Sequence, residues 1–213
     1  MSDQPTSAQS AFAVLRKFAR PRPNVERCEL CSAALGEQHP HLLELKTRKI
    51  ACSCDACAIL FSDQGNMKYR RVPRRSRMLT DFRLTDMEWE ALMLPINLAF
   101  FYRDSAAQRI VAMYPSPAGA TESQLSLESW AELEAQNPVL RKIEPDVEAL
   151  LVNRIGESHD YYLVPIDECY RLVGLIRSHW RGLSGGNEVW KELKTFFDTL
   201  NARCGVRKEA ALA

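Results

Sequence analysis

The chain has 213 residues, 46% of them hydrophobic and 26% charged, which is the make-up of a folded protein and excludes a largely disordered one. Twenty-eight Lys and Arg against 27 Asp and Glu leave a net charge of +1. That balance excludes nucleic-acid binding by overall charge as the default reading, and leaves a local basic patch open. The N-terminus lacks the basic start and apolar run of a secretory leader. The most apolar stretch, Ala91 to Tyr102, is interrupted by Pro95 and Asn97 and falls short of the about 20 residues of a membrane span. A soluble cytoplasmic protein without a membrane span is the expectation.

In chain order, residues 1–24 read as a flexible start with a short helix from Ser10 to Arg20, stopped by Pro21-Arg22-Pro23. Residues 25–65 hold a Cys/His metal module. In it Leu42–Leu45 and Lys49–Ser53 form a hairpin, and Asp55–Ser62 forms a helix ending near Gly65. Residues 66–204 form the α+β body. One or two strands are expected around Pro73, then a helix opened by the Thr85/Glu88 capping box with Leu84 and Trp89 as its hydrophobic staple. Ile96–Tyr102 and Arg109–Tyr114 pair as a hairpin, Pro115–Ser123 is a loop, and Ser126–Gln136 is a helix with Leu127, Trp130 and Leu133 on one stripe. Val147–Arg154 and Tyr161–Val164 are strands. Two closing helices, Asp167–Arg181 and Asn187–Ala202, the second with Val189, Trp190, Leu193, Phe196, Phe197 and Leu200 on one face, are parted by Gly182–Gly186, and residues 205–213 form a tail. Strands and helices intermix without βαβ alternation, so the fold class is α+β, with a small treble-clef-like metal module and two C-terminal helices.

The strongest chemical signal is the cysteine spacing. Five of the seven cysteines lie between Cys28 and Cys57, and two of the four histidines, His39 and His41, lie among them. Cytosolic thiols stay reduced, so such a cluster reads as a metal site rather than a disulfide framework. Cys28-x-x-Cys31 and Cys54-x-x-Cys57 are the two turn-wrapped pairs that a tetrahedral four-thiolate site needs. The second pair opens a helix, whose positive end stabilises thiolates. Cys52 in place of Cys54, or His41 in place of a cysteine, are alternative ligands, with His39 as a further spare donor. A second metal would need more ligands than remain, so one ion is expected. Zinc suits a closed sulfur tetrahedron, and iron in a rubredoxin-like site is the alternative. A closed site of this kind is structural.

Lys68, Arg70, Arg71, Arg74, Arg75 and Arg77 form a basic run with no acid in it. It is a docking surface for an acidic protein patch or for phosphates, or else a solvated strand edge. The Tyr114–Ser123 loop, with Gly119, is a candidate binding loop and otherwise an ordinary connection. Asp146, Glu148, Asp167 and Glu168 are carboxylates whose spacing selects no acid–base pair, and Asp167 reads as a helix cap. Cys169 falls on an apolar helix stripe and reads as core. No GxSxG, HExxH or strand-following GxGxxG occurs, so no recognised enzyme class is indicated.

Cys28-Glu29-Leu30-Cys31, His39-Pro40-His41-Leu42 and Cys52-Ser53-Cys54-Asp55-Ala56-Cys57 carry a family resemblance. It extends through Tyr114–Ser123, Pro145–Leu151 and Val164–Tyr170. On these strings, over roughly residues 25 to 200, the chain resembles a bacterial family of unknown function. The genes of that family tend to sit beside NiFe-hydrogenase genes. The resemblance implies an accessory role in the maturation or electron supply of such an enzyme, with a hydrogenase component as partner. The alternatives are a metal-finger nucleic-acid binder using residues 68–77, and an enzyme with an unrecognised site near residues 114–123.

Overall fold

The computed structural model describes residues 25–62, 68–124, 127–182 and 184–210. The expected helix at Ser10–Arg20, the Pro21–Pro23 linker and the stop at Gly65 lie outside the described residues. Within them the protein is a mixed α/β structure with two antiparallel sheets and five α-helices.

The smaller sheet contains β1 (His41–Glu44), β2 (Ile50–Cys52) and β3 (Tyr69–Arg71) in the order β2-β1-β3. Helix α1 (Asp55–Ser62) follows β2. The larger sheet takes β4 (Arg77–Met78), β5 (Leu98–Asp104), β6 (Arg109–Ser116), β7 (Gly119–Ser123), β8 (Glu148–Asn153) and β9 (Asp160–Pro165). Their order is β4-β9-β8-β5-β6-β7. The basic run therefore bridges the two sheets: β3 ends in one and β4 begins in the other, with Pro73 between them.

Strands β5 and β8 explain why the sequence reads as unbroken apolar runs there. Alternate side chains enter two separate cores, and both faces of the sheet are covered. Leu98, Phe100 and Tyr102 of β5, with Ala149 and Leu151 of β8, meet α4 (Ile166–His179) and α5 (Gly186–Ala210). Ala99, Phe101, Leu150 and Val152 face the other way. They pack against Trp89 of α2 (Asp86–Ala91), Trp130 and Leu133 of α3 (Leu127–Gln136), and Leu140 of a 3₁₀ turn, Pro138–Lys142. The Thr85/Glu88 capping box opens α2 as its spacing predicts.

Four local expectations are corrected. Residues 115–123 are not a loop: β6 runs on to Ser116 and pairs with β7, so only Pro117 and Ala118 turn. The last helix does not stop at Ala202 but continues past Gly205 to Ala210. Trp190, placed on the buried stripe by its spacing, is 44% exposed and lies tilted against Trp180. Asp167 does not cap α4; Pro165 holds the cap position with no side-chain bond, and Asp167 turns its carboxylate to another element.

The small sheet is tied into the body. Leu43 of β1 and Val72 after β3 are buried in the core beneath α4 and α5. Arg48, in the β1–β2 turn, donates to the Asp146 carboxylate at 3.0 Å and stacks its guanidinium 4.4 Å above the centre of the Tyr102 ring. Arg70 of β3 donates to the Pro145 carbonyl at 3.1 Å.

Candidate metal centre

The first cysteine pair sits on a tight turn. The Cys28 N–H donates to the Ala33 carbonyl and the Ser32 N–H to the Cys28 carbonyl, each at 2.8 Å. Ser32 takes a left-handed conformation at φ 63° to close it. The second pair straddles the start of α1, with Cys54 just before the helix and Cys57 in its first turn. The Ala58 N–H closes that turn on the Cys54 carbonyl at 2.9 Å, and the Cys57 N–H approaches the Cys54 sulfur at 3.5 Å.

Glu29 joins the turn to β2. Its backbone N–H donates to the Cys52 carbonyl at 2.9 Å. Its carboxylate accepts from the Cys52 N–H at 3.0 Å and from the Lys49 ammonium at 2.8 Å. Those bonds, from Lys49 foremost, hold the Glu29 carboxyl below its usual range despite burial.

These locks bring Cys28, Cys31, Cys54 and Cys57 together with every pair of sulfurs within 4.8 Å, and Cys31 and Cys54 at 3.7 Å. All four are free thiols. Burial pushes the Cys28 thiol up, yet backbone hydrogen bonds at Cys54, Cys31 and Leu30 outweigh it and bring it down to about 6. Cys57 is pushed up to about 12, by burial first and then by the neighbouring thiols. Four close sulfurs with backbone donors aimed at them could hold a metal ion.

The spare donors form a group of their own. His39, His41 and Cys52 bring one ligand atom each to within 4.8 Å of one another. The register of the β1–β2 ladder pairs His41 with Cys52 directly. His41 reaches Asp167 on α4: its Nδ1 donates to Oδ2 at 2.6 Å, and that carboxylate raises the imidazole's pKa against the effect of burial. Neither Asp167 nor Glu29 was singled out for this cluster by the sequence. Glu29 lies inside the first CxxC, which is the one local hint; Asp167 is 126 residues from His41 and leaves none.

The basic run divides. Lys68 pairs with Glu44 at 3.4 Å, Arg70 with Asp146 at 3.5 Å and Arg75 with Glu148 at 3.8 Å. Arg71, Arg74 and Arg77 are exposed. Asp146 and Glu148 are buried anchors for these arginines rather than an acid–base pair. Cys169 is fully buried in the core, with its thiol pushed well up by desolvation. Beside the β6–β7 turn, a cavity of about 460 Å³ is lined by Tyr114, Pro115, Trp180 and Trp190 among others, and among the described residues by no carboxylate, imidazole, thiol or amine.

Fold and site together define a class: a mixed α/β protein with antiparallel sheets that carries a cluster of four cysteines able to hold a metal ion. Among the described residues, no helix is long and apolar enough to cross a membrane. The chain belongs to the family of unknown function DUF5947, whose model matches residues 27–204 and so takes in both the cysteine cluster and the body. No curated protein and no solved structure gives a significant match.

Proposed function

We propose that this chain is a zinc-binding accessory protein that acts by docking to another protein rather than by catalysis. The observation that carries the reading is the approach of four cysteine sulfurs to within 4.8 Å of one another. A closed four-thiolate site leaves no position for substrate, and its chemistry is to hold a fold together. The order turn, hairpin, helix, with the second cysteine pair at the helix start, supports a treble-clef-like description. Zinc is the ion best suited to it, with iron as the alternative that metal analysis separates. Reduced thiols fit a cytoplasmic setting.

The docking surface is Arg71, Arg74 and Arg77, exposed members of the basic run that form no ion pair among the described residues, which suits an acidic patch on the partner. A NiFe-hydrogenase component as that partner rests on the family resemblance alone. The test is co-purification of the tagged full chain with the hydrogenase subunits from a host that makes both, with metal content measured on the same sample. Capture of a hydrogenase subunit together with one or more equivalents of zinc supports the reading. Zinc without any hydrogenase subunit removes the partner and keeps the metal site.

A further inference from the structure

We propose that, against the single ion expected from the sequence, His39, His41 and Cys52 form a second metal site, distinct from the four-cysteine cluster. It holds a divalent cation of the zinc and cobalt class through two imidazole nitrogens and one thiolate, with one coordination position left open.

The backbone assembles the three donors. Ladder pairing sets Cys52, the last residue of β2, opposite His41, the first of β1. His39 precedes His41 by two residues, with Pro40 between them. The Pro40 carbonyl accepts both the backbone N–H of Ser53 at 2.9 Å and its hydroxyl at 3.1 Å. The histidine segment is thereby clamped to the Cys52-Ser53-Cys54 segment. One donor atom from each of the three residues lies within 4.8 Å of the others.

The hydrogen bonds then decide which nitrogens are free. His39 Nδ1 lies 2.9 Å from the Gly36 carbonyl, which can only accept, so Nδ1 carries the proton. His41 Nδ1 donates to Asp167 in the same way. In its neutral form each ring therefore has its lone pair on Nε2. A carbonyl or carboxylate on one nitrogen and a cation on the other is the arrangement that metal-binding histidines use.

The His39 side chain is only 8% exposed, and its Nε2 is buried without a hydrogen-bond partner. Buried polar atoms in folded proteins are ordinarily satisfied, and a cation at this position satisfies this one. Glu26 lies 3.7 Å from the His39 ring nitrogen and the Asp167 carboxylate sits on His41, so two carboxylates flank the imidazoles, with Arg74 as the opposing charge near His41. Three protein ligands leave a tetrahedral ion one place for water or an external donor, unlike the closed cluster beside it in sequence. Asp167 acts as a positioning residue, holding the His41 ring in its tautomer.

The test is Co²⁺ titration of the reduced full-length chain, read by absorbance and by metal analysis after desalting. Two equivalents per chain are expected, one with a tetrathiolate spectrum. Cys52→Ser and His39→Ala should each take one equivalent and keep the tetrathiolate bands. Asp167→Asn should still reach two, with the second bound about 10–100-fold more weakly. A chain carrying both Cys28→Ser and Cys31→Ser should keep one equivalent with the weaker bands of a single thiolate. That result isolates the second site even if the first is assigned wrongly. A single equivalent in the unaltered chain, or two equivalents retained in both Cys52→Ser and His39→Ala, overturns the proposal. Because Cys52 is partly exposed and Ser is nearly isosteric, the Cys52→Ser chain keeps its fold, and its metal count reads the second site directly.

Discussion

Arg48 and Asp146 meet across 98 residues, the guanidinium of a hairpin turn in the small sheet donating to a carboxylate that is 1% exposed in the body. Asp146 also accepts from the Ser105 N–H at 3.0 Å and takes a left-handed φ of 69° to present its side chain. Asp146→Ala leaves two arginines facing a buried gap. Breaking a buried pair from one side costs about 3–5 kcal/mol, and the partial exposure of Arg48 puts the expectation at about 3 kcal/mol. Urea unfolding measures it. Faster amide exchange in β1–β3 than in β5 and β8 would show the junction loosening first.

Cys31→Ser should cost the protein one tightly held metal equivalent and most of the order around residues 26–34, because metal binding supplies folding energy there. The body should keep its helix and strand signal by circular dichroism. Its two cores, around Phe100, Leu151 and Tyr162 and around Phe101, Leu150 and Trp130, contain none of the four cluster cysteines. Loss of the whole fold in this variant would show that the small sheet, through Leu43 and Val72, is required for the body to form.

Charge reversal should separate the two halves of the basic run. Arg71→Glu with Arg74→Glu leaves the ion pairs of Lys68, Arg70 and Arg75 intact and should abolish co-purification with an acidic partner at little cost in stability. Arg70→Glu sets a carboxylate beside Asp146 and Pro145 and should destabilise instead. Equal thermal midpoints for the two variants would contradict this division.

Glu88 gives a pH signature. Bonds from the backbone and then the hydroxyl of Thr85 hold its carboxyl below the ordinary value of 4.5. A depressed acid stabilises above its unfolded pKa, and the contribution is lost as pH falls through the folded value. The start of α2 should therefore loosen below about pH 4.5. Glu88→Gln can keep the two Thr85 bonds through its amide oxygen, gives up the bond from Gln136 Nε2, and loses the titration. NMR shifts of Thr85 and Trp89 that move with acid in the parent and stay still in the variant would confirm it.

Gly185→Ala should lower the thermal midpoint. The residue sits at φ +86°, and an added Cβ would lie 2.9 Å from Val189 Cγ1 and 3.2 Å from the Trp180 ring. Positive φ and a close contact together cost more than about 1 kcal/mol. A change within error would mean that the α4–α5 connection can shift to admit the methyl group.

The sequence by itself determined the elements whose causes are local. The helix at Asp55–Ser62 and the capping box at Thr85 were legible because caps and side-chain period act within a few residues. The hairpin of β5 and β6 was legible for the same reason, and the two CxxC turns are recognisable from spacing alone. The β6–β7 hairpin was not, because Pro115–Ser123 is rich in loop formers and only pairing with β6 makes a strand of Gly119–Ser123. Tertiary structure alone decided the rest. Ladder register put Cys52 opposite His41, and docking of α4 brought Asp167 to the same imidazole. Ion pairs with Glu44, Asp146 and Glu148 engaged Lys68, Arg70 and Arg75 of the basic run. Each of these depends on contacts between residues far apart in the chain, where the cost of closing the loop is met by burial that no local pattern records.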